Sequence, residues 1–149
     1  MFQFFLKVFH VDLGFFEVVF GSREGIVGQN DAVEFGFINS STIQLWTAGD
    51  GSLNWGINNN SLPSNTWHHI VAIGTGSKLK LYVNGIQKVS VNAGNGTYAS
   101  SNYKFNIARG VFDGSGNYFN GHLAVVRVYD DDLTEDEILK NYNSEVNRF

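Results

Sequence analysis

Residues 66–91, "TWHHIVAIGTGSKLKLYVNGIQKVSV", constrain the fold more than any other part of the chain. Within "KLKLYV", Leu79, Leu81 and Val83 alternate with Lys78, Lys80 and Tyr82. A period of two lines the apolar residues along one face of a strand, whereas a helix would scatter them around its axis. Asn84-Gly85 follows, a pair that tolerates positive φ and so closes a tight hairpin, and "IQKVSV" returns. The same order recurs upstream. "TIQLWT" (42–47) and "SLNWGI" (52–57) flank Asp50-Gly51, a second hairpin signal.

Composition agrees with a chain of short antiparallel strands. Seventeen Gly and one Pro supply turns, while 13 Phe, six Tyr and three Trp supply the bulky residues that strands favour. A chain of 149 residues is read as one domain with one core, burying roughly 68–70% of the surface it would expose unfolded. Residues 2–9 and 14–20 read as two strands joined by "HVDLG", 21–31 as a loop, and "VEFGFI" (33–38) as a strand. Further loops are expected at 58–65, 92–102 and 110–117. "YKFNIAR" (103–109) and a stretch around 118–129 are the last expected strands. Lys7, His10 and Asp12 interrupt the apolar start and no small-residue cleavage site follows, so it reads as strand rather than signal peptide. There is no uninterrupted apolar run of about 18 residues to insert in a membrane as a helix.

After Tyr129 the period changes. Leu133, Ile138, Leu139 and Tyr142 fit one helical stripe, and Thr134 with Glu137 three residues later forms a capping box. The acids of "DDDLTEDE" suit the positive end of a helix dipole and lack the loop spacing of a calcium-binding EF-hand, so they read as a helix start and not as a metal cluster.

A formal net charge of −4 with no Lys/Arg cluster argues against nucleic acid and anionic membrane as partners. The absence of Cys removes disulfides and thiolate chemistry. His68 and His69 are adjacent, so in a strand they face opposite ways and cannot hold one ion together; one is expected in the core and the other half-exposed. No Gly-x-Ser-x-Gly turn or Ser-His-Asp set can be assembled, and "GTG" and "GNG" lack the Gly-Lys-Ser of a phosphate loop.

At this point two stretches resemble a known family. "NTWHHIVAIGTGSKLKLYVNGIQKVS" is similar to the central hairpin of concanavalin A-like lectin and laminin G-like domains, and "YFNGHLAVVRVYDDDLTEDEILKNY" to their C-terminal strand and helix start. The resemblance implies an all-β fold: a concanavalin A-like antiparallel β-sandwich (jelly roll) with a short C-terminal helix, spanning 1–149 as a single laminin G-like domain. It places Trp67 in the core. It also implies that the family's first strand, which pairs beside the last, is lacking here, and an open sheet edge invites homo-oligomers. Ala124 and Val125 stand where the family frequently has an acidic pair, so no metal ligand is assigned and calcium is left only to loops such as 110–117. Relatives that hydrolyse glucans carry carboxylates on alternate residues of one strand. This chain has no such strand, and an enzyme is not expected.

The resemblance therefore implies a non-catalytic, lectin-like carbohydrate-recognition module that forms part of a larger extracellular, cell-surface or virion-associated protein. Its partner would be a glycan or a surface protein. A protein–protein adhesion domain without a sugar site is the second reading, and a glycosidase relative the third. Exposed aromatic rings stack on sugars while Asn and Asp orient hydroxyls. The candidate ligand-binding residues are Trp46, Trp55, Asp113, Asn117 and Tyr118, each weighed against ordinary roles in core or turn.

Overall fold

The computed structural model describes residues 9–18, 24–29, 33–39, 42–48, 51–56, 62–63, 66–93, 105–109, 118–129 and 131–148, with side chains from residue 33 onward. The described strands are β1 (Phe9–Val18), β2 (Glu24–Gln29), β3 (Val33–Asn39), β4 (Thr42–Thr47), β5 (Gly51–Gly56), β6 (His68–Gly74), β7 (Lys78–Val83), β8 (Ile86–Asn92), β9 (Asn106–Ile107) and β10 (Gly121–Tyr129). Helix α1 (Glu135–Glu145) follows. A first sheet has the order β10-β1-β6-β7-β8 and a second the order β5-β4-β3-β2-β9, with every described pairing antiparallel.

Three expectations about the strands require correction. "HVDLG" is not a connection but the middle of β1: His10 and Asp12 alternate with Val11 and Leu13, and the segment pairs with β10 on one side and β6 on the other. Ladder bonds on both sides satisfy the backbone without a break. The expected strand at 2–9 lies outside the described residues except for Phe9. Residues 24–29 are strand rather than loop, because β3 and β9 flank them and supply partners that their own glycines do not announce. Of the strand expected at 103–109, the described residues 105–109 are strand at Asn106–Ile107, stopped by a left-handed Ala108 at φ 59.

The hairpins follow their turn residues. Asn84 and Gly85 adopt φ 51 and 76 between β7 and β8, and Gly51 adopts φ 86 where β5 begins opposite Thr47. Asn84 also fastens its turn to the neighbouring strand, its Oδ1 accepting from the His69 backbone N–H at 3.0 Å.

Between the sheets, Val33, Phe35, Phe37, Ile43, Leu45 and Leu53 from one side meet Ile70, Ala72, Leu79, Leu81 and Val83 from the other. Each fully buried aliphatic or aromatic side chain contributes about 1.5–3 kcal/mol through removal from water. Trp67 packs against this cluster, as expected of it.

On the outer face of the first sheet an apolar patch carries α1. Ile138 and Leu133 pack on Val71, Ile73 and Tyr82. The capping box forms as the sequence predicts: Thr134 Oγ1 accepts from Glu137 N–H at 3.3 Å, and Glu137 Oε2 accepts from Thr134 N–H at 2.8 Å. The acids at this end thus start a helix. Tyr82 donates to Glu135 Oε1 at 3.3 Å; burial, with the Glu135 charge and hydrogen bond added, pushes its phenol up to about 12. Helix coverage also corrects the histidine expectation. His68 and His69 do point to opposite faces, but both are buried, because the Tyr142 ring of α1 lies 5.9 Å from that of His69. Near the end of α1, Glu145 pairs with Arg127 of β10.

Strand β10 is at the border of its sheet and pairs, among the described residues, with β1 alone. Ala124 is exposed and Val125 half-buried on it.

Candidate functional site

The outer face of the second sheet differs in kind from that of the first. In β4, Ile43, Leu45 and Thr47 are buried while Thr42, Gln44 and Trp46 are half-buried, an alternation that turns the latter three outward. Register then sets their neighbours. Trp46 lies opposite Glu34 of β3 and Ser52 of β5, and Gln44 lies opposite Gly36 and Asn54. Directly opposed residues on one face have Cβ atoms about 4.5–5.5 Å apart, so these side chains form one surface. Gln44 Nε2 donates to Asn54 Oδ1 at 2.8 Å. This presents an ordered amide pair beside the indole.

Gly56 leaves its end of that surface uncrowded. A Cβ added at Gly56, which lies opposite Thr42, would meet nothing within 4 Å. Ser52 and Asn54 are exposed, and Glu34 is 8% exposed at the inner end of the row. The constellation is thus an aromatic face, an amide pair, a hydroxyl and one carboxylate. Chemically it can stack on an apolar ring face and exchange hydrogen bonds with hydroxyls. The side chains described on this face include a single acid, Glu34, whereas glycoside hydrolysis uses two. No group of three His, Cys, Asp or Glu side chains able to hold a metal lies together among the described residues.

Of the five predicted ligand residues, the three that are described do not converge. Trp46 is on this outer face, but Trp55, opposite Ile43, faces inward and packs against the core cluster. Asp113 and Asn117 lie outside the described residues. Tyr118 is 70% exposed and belongs to the far border of the same sheet, bridged to Arg109 just after β9. Sequence reasoning missed Gln44, Asn54 and Glu34. The signal was present in the alternation of "TIQLWT" and "SLNWGI", which sets Trp46 against Ile43 and Leu45 but keeps Trp55 in phase with Leu53.

Comparison with known proteins places this geometry in context. A family model described as the concanavalin A-like lectin/glucanases superfamily, of laminin G type, matches residues 10–139. Among solved structures, a proposed carbohydrate-binding protein from Bacteroides ovatus superposes with a TM-score of 0.75 at 20% identity, over 94% of this chain and 42% of that one. The binding domain of botulinum neurotoxin DC, solved in complex with rat synaptotagmin II, gives 0.66 at 13% identity over 92% and 35%. The same toxin domain in complex with SialylT gives 0.65 at 12% identity over 94% and 36%. At these identities the likeness is one of fold. The chain spans less than half the length of each of these proteins. No curated protein sequence matches it.

Proposed function

The chain belongs to the concanavalin A-like lectin/glucanases superfamily, and we propose that it is a non-catalytic carbohydrate-recognition module whose ligand lies across β4 and β5. The observation that carries this reading is Trp46, half-buried on an outer sheet face beside the ordered Gln44–Asn54 pair. An indole matches the C–H side of a pyranose, and amides exchange hydrogen bonds with its hydroxyls. Binding needs no covalent step, and the single described acid of the face serves as an acceptor. The module works at a cell surface, on a virion or in the extracellular space, as one part of a longer protein.

A glycan array run with and without calcium tests this reading, with tryptophan fluorescence as the second readout. Binding to at least one glycan is expected, together with a change in Trp46 emission and a loss of at least about tenfold in affinity in Trp46→Ala. If no saccharide binds or perturbs the fluorescence, the module is an adhesion domain for protein. Exposed Leu139, which lies over the Gly85 turn, and exposed Ile86 beside that turn support that second reading as apolar side chains left in solvent.

A further inference from the structure

Strand β9 leads into a constellation that the Trp46 face does not use. The strand stops because Ala108 takes a left-handed backbone, φ 59, which a residue with a side chain holds only when its surroundings over-determine it. Those surroundings are a hydrogen bond from Phe119 N–H to the Ala108 carbonyl at 3.0 Å and an isolated antiparallel bridge between Arg109 and Tyr118. The kink delivers Arg109 onto Tyr118, its guanidinium carbon 5.9 Å from the ring centroid, within cation–π range. Both residues are exposed, Tyr118 to 70%. Arg127 makes a contrast, since its guanidinium is taken up by Glu145. The contact described for the Arg109 guanidinium is a ring face and not a carboxylate.

We propose that Arg109 and Tyr118 form a subsite for a carboxylated saccharide, such as a uronic or sialic acid residue. A guanidinium presents its N–H groups as a planar fork that matches a carboxylate, and stacking on a ring engages its face while leaving that fork available. The exposed part of the Tyr118 ring takes the apolar side of the sugar. A neutral sugar would use the ring and leave the fork to water, and a small carboxylate would use the fork and leave the ring bare. An acidic sugar satisfies both. The bridge and the strained Ala108 hold the arginine in place before the ligand arrives, which reduces the ordering cost of binding. The proposal rests on the saccharide reading for the class of ligand but on none of the residues of the Trp46 face. Strands β2 and β3 lie between β9 and β4, a lateral separation of about 14 Å at the usual strand spacing.

Titration of the full chain with sodium glucuronate, glucose and sodium acetate at low ionic strength, followed by NMR, tests it. Glucuronate is expected to shift the Arg109 Nε–H and Tyr118 ring resonances saturably, with glucose leaving Arg109 unmoved and acetate binding at least about tenfold more weakly. Arg109→Gln and Arg109→Lys should each weaken glucuronate at least about tenfold, the lysine because it lacks the fork. Trp46→Ala should leave the glucuronate response intact, so the two sites fail or stand separately. No saturable shift, equal affinity in Arg109→Gln, or acetate binding as tightly as glucuronate would each overturn the proposal.

Discussion

The two sheets share an inward face of one kind and outward faces of two. On the first sheet the outward positions His69, Val71, Ile73 and Tyr82 are buried beneath α1. On the second, the outward positions Gln44, Trp46, Ser52 and Asn54 are polar or amphipathic and reach solvent at β4 and β5. Both faces alternate with the same period, so the pleat cannot distinguish them. What differs is chemistry: an apolar outward row requires cover and is stapled by a helix, whereas a polar outward row bears exposure and remains available to a ligand. With the ligand face proposed above, stability and recognition would fall on opposite sides of one sandwich.

Substitutions separate the two roles. Ile138→Ala empties a fully buried position on the sheet-facing side of α1 and should cost about 2–5 kcal/mol in urea unfolding. Trp46→Ala should cost less than about 1.5 kcal/mol in the same assay while removing binding, because its ring is half-exposed. Equal costs for the two would dissolve the distinction between the faces.

Glu145→Ala leaves Arg127 without the carboxylate that α1 brings to it. With Arg127 about a third exposed, solvent softens the loss, and about 1–3 kcal/mol is expected. A double-mutant cycle with Arg127→Ala reads the coupling directly, and a coupling near zero would detach the end of the helix from the sheet. Gly85→Ala should destabilise by about 1–2 kcal/mol for two reasons: its φ is 76, and the new Cβ would come within 2.9 Å of Leu139 Cδ1. The companion Leu139→Ala would relieve the second reason but not the first, so the double variant should recover only part of the loss.

The smallest effect is titration of His68. Burial holds its pKa below the ordinary 6.5, against the opposing hydrogen bond from its Nε2 to the Pro63 carbonyl at 2.8 Å. The unfolded chain therefore takes up the proton first. The contribution is complete above a pH of about 6.5 and is lost as pH falls from there towards the lowered folded value. Thermal unfolding should show Tm falling on acidification through that window, less steeply in His68→Gln. A Tm that rises there, or an unchanged slope in the variant, would remove His68 from the core's pH response.

Much of the fold was legible because local chemistry repeats what the sandwich requires. "TIQLWT" is β4 residue for residue, and the Thr134–Glu137 box starts α1 where the sequence places it. The misreadings arose where partners rather than residues decide. Glycine-rich 24–29 became strand between two neighbours, and the polar insertions in "HVDLG" were absorbed by pairing on both sides. The candidate site was half legible. Trp46 could be named, but its Gln44, Asn54 and Glu34 neighbours come from three strands whose alignment depends on bulges and hairpin register. Arg109 offered no signal, since its partnership with Tyr118 depends on one left-handed residue, Ala108.

By itself the sequence determined the β grammar, the turns, the C-terminal helix and the apolar stripe that becomes the core, because each depends on neighbours a few residues apart. Tertiary structure alone decided which face would be roofed, that His68 and His69 would both be buried, and that Gln44, Asn54 and Glu34 would gather around Trp46. The physical reason is that cover and register are properties of distant pairs. A side chain's parity is written locally, but which parity faces the core depends on the strand, sheet or helix that packs against it.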